Sequence, residues 1–176
     1  MKKALSLILA LVLCLSLCAC SKKVELGKPV KRGIQSTTVV DVQLTDKSYV
    51  KIDSTSADFL VPIDKDDLDV GDKFIKSTDE NTVAIIMTLI VENVGKRDLT
   101  IGPNSYIINY DNGNKYRADT GYIQTADGWS ELTNYTLEKV TSGAVTIKVI
   151  AWVPDVIIDS TKPLSLDFFG ASYKIR

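Results

Sequence analysis

Residues 82–94 read TVAIIMTLIVENV, and this stretch decides the fold. Val83, Ile85, Met87, Leu89 and Val91 recur at every second position, so in an extended chain they share one face. Ala84, Ile86 and Ile90 make the other face apolar as well. A strand apolar on both faces is a central strand, covered on both sides. Asn93, Gly95 and Lys96 end the run.

The same two-residue period appears on either side of it. Residues 145–153 place Val145, Ile147, Val149, Ala151 and Val153 on one face, with Lys148 and Trp152 on the other. Residues 37–44, TTVVDVQL, alternate Val40, Val42 and Leu44 against Asp41 and Gln43. Residues 49–52 are a shorter candidate, and Leu164, Leu166 and Phe168 form the last strand. Residues 105–110 and 115–118 flank Asp111-Asn112-Gly113-Asn114, whose Asn-Gly pair tolerates positive φ and predicts a hairpin. No ten-residue stretch after the leader has a convincing helical period. Single helical turns are expected within 56–72 and near 127–132. Several short strands separated by turns predict a β-sandwich or barrel. The expected core is Val83, Ile85, Met87, Leu89, Val145, Ile147, Val149, Leu166 and Phe168.

The chain begins with a different kind of segment. Lys2 and Lys3 precede fourteen uncharged residues, 4–17, ALSLILALVLCLSL. A spanning helix needs about 20 apolar residues, so this run has the length of a signal-peptide core. Leu17-Cys18-Ala19-Cys20 follows and resembles the bacterial lipobox, with cleavage between Ala19 and Cys20. That resemblance implies a diacylglyceryl thioether on Cys20, with two acyl chains such as palmitate. The competing reading is an ordinary secretory signal in which Cys20 is incidental. Two acyl chains suffice for stable anchoring, whereas one binds only marginally. Residues 1–19 are thus expected to be a signal peptide, and 20–35 the lipidated cysteine and a flexible tether. One domain of 36–176 follows, a length that can bury a core without disulfides. The tether holds Lys22, Lys23, Lys28, Lys31 and Arg32 against Glu25. It reads as a solvated linker or as a segment drawn to anionic headgroups. The expected location is the extracytoplasmic face of the cell membrane.

Past the leader, residues 91–96, ValGluAsnValGlyLys, then Leu99, and the run from Tyr106 to Tyr116 around AspAsnGly resemble one group of bacterial lipoprotein domains. The Ser142-Gly143 turn and Trp152-Val153-Pro154 belong to the same resemblance, which covers residues 80–176. These domains are described as telokin-like or as related to a secreted mycobacterial immunoprotective protein. The resemblance implies an immunoglobulin-like antiparallel β-sandwich of about seven strands and carries no activity with it. The long aromatic region 119–140 departs from the pattern.

Composition narrows the chemistry. The chain has 21 basic and 22 acidic residues and no histidine. Two of the basic ones, Lys2 and Lys3, lie in the leader, so the remainder is mildly acidic and lacks the basic face that captures nucleic acid. Without histidine there is no Ser-His-Asp triad and no histidine metal site. The three cysteines are Cys14, Cys18 and Cys20, and a lipidated Cys20 is no nucleophile. Ser48-Tyr49-Val50-Lys51 matches Ser-x-x-Lys only superficially, because positions three apart on a strand point to opposite faces. Asp64, Asp66, Asp67, Asp69 and Asp72 cluster in IDKDDLDVGD and are weak candidates for calcium. Their spacing fails the EF-hand pattern, and a solvated acidic loop is the favoured reading. Tyr122, Trp129 and Tyr135 lie in a polar stretch and read either as a contact surface or as a cap on the core.

Three functions follow as expectations. The first is a non-catalytic module, not an enzyme and without a cofactor beyond its lipid, that contacts an envelope protein or an external ligand. The second binds calcium or a small ligand through loop 64–72. The third is a carboxylate-based enzyme.

Overall fold

The computed structural model describes residues 22–139 and 143–176. The expected leader with Ala19, the expected lipidation site Cys20, and Ser142 of the expected turn lie outside the described residues. In chain order the strands are β1 (Lys22–Val24), β2 (Pro29–Arg32), β3 (Gln35–Leu44), β4 (Tyr49–Ile52), β5 (Leu60–Ile63), β6 (Phe74–Lys76), β7 (Thr82–Asn93) and β8 (Leu99–Ile101). They continue as β9 (Tyr106–Tyr110), β10 (Asn114–Arg117), β11 (Thr120–Thr125), β12 (Gly128–Glu131), β13 (Tyr135–Leu137), β14 (Ala144–Pro154), β15 (Leu164–Phe168) and β16 (Ala171–Lys174).

The molecule is an all-β sandwich. A six-stranded sheet, β12-β11-β14-β7-β3-β2, faces a five-stranded sheet, β1-β16-β15-β9-β10. As the double apolar pattern requires, β7 is central, paired antiparallel with β14 from Thr82–Pro154 to Glu92–Ala144 and with β3 on its other edge. Its inner face, Val83, Ile85, Met87, Leu89 and Val91, packs with Ile147 and Val149 of β14 against Ile108, Leu166 and Phe168 of the opposite sheet. All of the expected core is buried except Val145, which is partly buried at the rim. Pairing is antiparallel throughout the two sheets save for β1, which runs parallel to β16.

The outer face of β7 is covered by a third layer. A small sheet, β5-β4-β6, lays Val50, Phe59 and Leu60 on Ala84 and Ile86 of β7 and Ile150 of β14, forming a second core. Ile90 lies outside this cover and is 37% exposed. This layer and the β8–β13 pair raise the strand number well above the seven expected.

Four expectations change. Residues 22–35 are not a tether: β1 and β2 belong to the two sheets, with Val24 and Val30 buried in the main core. Gly27 and Gly33, at φ +73° and +59°, make the turns between strands rather than breaking structure. Pro29 opens an edge strand, where its missing N–H costs little. In β3 the register shifts between Val39 and Asp41, a bulge that turns Val39 inward and leaves Val40 40% exposed, while Val42 and Leu44 pack on the core as expected. The helical turn near 127–132 is instead β12, closed onto β11 by Gly128 at φ +108°, so cross-strand pairing overrides the local signal. A helical turn does occur within 56–72, at Lys65–Asp67. The 111–114 hairpin forms, but its left-handed residues are Asp111 and Asn112, one position earlier than the Asn-Gly pair.

The two ends of the sandwich differ in their loops. The lower end gathers the β2–β3 turn at Gly33-Ile34, the β7–β8 turn 94–98, and the β15–β16 turn at Phe169-Gly170. Val94 N–H donates to the Ile34 carbonyl at 2.8 Å, and the Arg32 guanidinium donates to the Gly170 carbonyl at 2.9 Å. The upper end gathers Thr45–Lys47, residues 79–82, Asp111–Gly113 and the 155–160 turn. Asp155 N–H donates there to the Asn81 carbonyl at 3.1 Å.

Candidate binding surfaces

Tyr122 and Trp129 share one face because β11 and β12 pair, which aims both side chains at the outer layer. Between them lies Phe59. Its ring stacks on Trp129 with centroids 4.8 Å apart and planes 11° apart, and meets Tyr122 edge-on at 5.2 Å. Phe59 is buried and adopts φ +57°, a strained conformation for an aromatic residue. Trp129 and Tyr122 are partly buried and close the second core from outside. Burial pushes the Tyr122 phenol above its ordinary value, and the neighbouring Glu131 adds to the effect. Beside this platform, Lys148 reaches the Asp58 carbonyl, and burial lowers its ammonium pKa. Tyr135 is elsewhere: on β13, opposite Ile101 of β8, it packs at the edge of the main core. The structure therefore joins two of the three aromatics and supplies Phe59 as their partner. Nothing in the sequence around Phe59 announces this role, because the contact crosses the chain from 59 to 122 and 129.

The acidic loop spreads its carboxylates apart. Asp64 accepts from Lys47 Nζ at 2.7 Å, and Asp72 accepts from Lys51 Nζ at 2.8 Å. The first contact raises the Lys47 pKa and the second raises that of Lys51. Asp72 is in turn held below the ordinary carboxylate range by Lys51, with the Asp69 N–H donating to it at 3.0 Å. Asp66 and Asp67 are exposed on the helical turn and Asp69 is exposed beyond it. Among the described residues no three acidic side chains converge as metal ligands would. Lys51, the lysine of Ser-x-x-Lys, is committed to Asp72. Above the loop, an open groove of about 650 Å³ runs along the upper end between Leu44–Lys47, Leu60–Pro62 and Ile158-Asp159.

Two buried polar atoms lack a hydrogen-bond partner among the described residues, Asn109 Oδ1 and the Tyr106 hydroxyl. Tyr106 opens β9 at the lower end and is fully buried, and burial drives its phenol far above the ordinary value. Its hydroxyl has no hydrogen-bond partner among the described residues, while the nearby Gln35 amide donates to Thr37 Oγ1 at 2.9 Å.

Neither a family model nor a curated protein matches this chain. Among solved structures it is similar to an uncharacterized β-sandwich protein of Clostridium difficile 630, at 19% identity over 89% of this chain and 95% of that one, with a TM-score of 0.57. Weaker likenesses link it to two Bacillus subtilis proteins. One is ycdA, provisionally classed as a lipoprotein, at 15% identity, a TM-score of 0.45, and coverage of 86% of this chain and 39% of that one. The other is yjhA, at 15% identity, a TM-score of 0.44, and coverage of 84% and 83%. At such identities a likeness speaks for the fold alone. Among the described residues no helix is long and apolar enough to cross a membrane. The comparisons and the architecture agree on one statement: this chain has the fold of a bacterial β-sandwich protein whose function is not established.

Proposed function

We propose that the chain is a lipid-anchored extracytoplasmic module of a bacterial envelope, acting by non-catalytic binding to an envelope protein or an external ligand. The observation that supports this reading is the place where the fold begins. β1 starts at Lys22, two residues after the lipobox cysteine, so the sandwich takes up the chain where the leader motif stops. The resemblance of residues 80–176 to immunoglobulin-like bacterial lipoprotein domains points the same way. The surface open to a partner is the upper end with its groove, together with the half-buried Trp129 and Tyr122.

The test is chemical. Mature protein purified from membranes should carry a diacylglyceryl group on an N-terminal Cys20 by mass spectrometry, and cells fed labelled palmitate should label it. Cys20→Ser should abolish the label and leave the precursor uncleaved. Normal labelling of Cys20→Ser, or a mature chain starting elsewhere without lipid, would overturn the reading.

A further inference from the structure

We propose that the lower end of the sandwich rests on an anionic bilayer, with Phe169 at the headgroup level and Lys31, Arg32, Lys96 and Arg97 over the lipid phosphates. The proposal builds on the anchor at Cys20 and adds the orientation of the domain and the surface that touches lipid.

Three independent features converge there. The first is the length of chain outside the structure. Two peptide steps separate Cys20 from Lys22 and span at most about 7 Å. Lys22 pairs with Ala171, the residue after the Phe169-Gly170 turn, so the anchor is tied to that end of the molecule. A domain joined so closely to its lipid has no linker with which to turn over.

The second is the turn itself. Phe169 is 40% exposed at the tip of the β15–β16 hairpin and adopts φ +47°, where a bulky side chain is strained. The residue that suits that conformation is glycine, and Gly170 beside it adopts φ +73°. An aromatic ring held at a tip against its backbone preference marks a contact. Its partial support is the edge of Tyr106, 6.1 Å away between centroids. Arg32 fixes the tip by its bond to the Gly170 carbonyl.

The third is charge. Lys31 and Arg32 flank the β2–β3 turn, and Lys96 and Arg97 occupy the turn locked to it, all four exposed. Glu92, Asp98, Asp127 and Glu138 are exposed at this end as well, and Asp98 accepts from the Lys139 N–H. The upper end differs: Asp46, Asp79, Glu80, Asp155 and Asp159 are exposed there, while Lys47 and Lys162 are paired with Asp64 and Asp111. Counting Lys139 with the bases and Glu92, Asp127 and Glu138 with the acids, the exposed charges of the lower end are near balance, whereas the upper end is acidic even with Lys115 and Lys174 exposed there. Near an anionic surface whose field reaches about 8 Å, the acidic upper end is repelled and the near-balanced lower end is not, which keeps the groove up.

The full lipidated protein tests this in vesicles of phosphatidylcholine with about one third phosphatidylglycerol. Because Cys20 is then a thioether, a fluorophore attaches only to an added thiol, at Lys96→Cys below or Val156→Cys above. Headgroup spin-labelled lipid should quench the lower label about threefold or more over the upper one, since a nitroxide quenches only fluorophores that come close to it. Phe169→Gly, which suits the φ there and keeps the fold, combined with Lys31→Glu and Arg97→Glu, should lower the quenching of the lower label at an unchanged melting temperature, while the short link keeps it above that of the upper label. Equal quenching at both positions in protein shown by mass to carry its diacylglycerol overturns the orientation and leaves the anchor standing. A protein without the lipid mass overturns the anchor itself. Protection of the lower label that rises with protein density and not with lipid would assign the surface to a second copy and overturn the proposal.

Discussion

The indole of Trp129 lies flat on the ring of Phe59, with centroids 4.8 Å apart and an 11° angle between planes. Offset stacking of this kind adds to the area the rings remove from water. It ties the β11–β12 hairpin to the outer layer, so Trp129 contributes to stability whether or not it also meets a ligand. Trp129→Ala is expected to lower stability by about 2–3 kcal/mol, below the range for a fully buried indole because part of the ring is exposed. Urea unfolding measures this. In a Trp152→Phe background, acrylamide should quench Trp129 to an intermediate degree. An unchanged unfolding midpoint with strong quenching would show that the ring serves a partner alone.

Met87 is fully buried at the middle of β7, where both sheets reach it. Met87→Ala should cost about 2–5 kcal/mol by lost burial and an unfilled cavity. The check is calorimetry, with circular dichroism confirming a β spectrum at low temperature. A loss under about 1 kcal/mol would mean that the site collapses around the smaller side chain.

Gly95 has no room for a side chain: a Cβ there would lie 2.3 Å from the Ile34 Cβ. The contact joins the two turns at the lower end, so Gly95→Ala should destabilise by about 1–3 kcal/mol through forced displacement. Ile34→Gly removes the atom in the way. In a double-mutant cycle it should recover part of the loss, and purely additive effects would exclude the clash as the cause.

The Lys51–Asp72 pair gives a signed dependence on pH. Asp72 titrates below its unfolded value because Lys51 and the Asp69 N–H favour its charged form. Its contribution is present above the unfolded carboxylate pKa near 3.9 and is lost as pH falls through the lower folded value. Lys51 is shifted upward, so its contribution is present below the unfolded lysine pKa near 10.4 and lost as pH rises through the folded one. Carboxylate chemical shifts should place the Asp72 midpoint below the ordinary carboxylate value, and Lys51→Met should bring it up toward that value.

Much of the architecture is legible in the order of residues. The uninterrupted apolar run of β7 can be satisfied only by cover on both faces, which makes it central before any partner is known. The alternations of β14 and β15 identify the buried side chains of both sheets, since the strand period is a property of the backbone itself. The expectation of a leader rests on the same kind of local pattern, charge followed by apolar length followed by a small-residue motif. What tertiary structure alone decided depends on atoms distant in sequence. Residues 22–35 have the composition of a linker, yet β16 and β3 offer free edges that take up β1 and β2, and Val24 and Val30 are buried as a result. A bulge at Val39 reverses which valine faces inward, because register is set by the neighbouring strand and not by the run itself. Phe59 finds Trp129 across seventy residues, and Phe169 comes beside the chain's entry because β16 closes the sheet against β1. Periodicity is written in the backbone of each segment, but edges, registers and meetings belong to pairs of segments, and only the folded chain brings the pairs together.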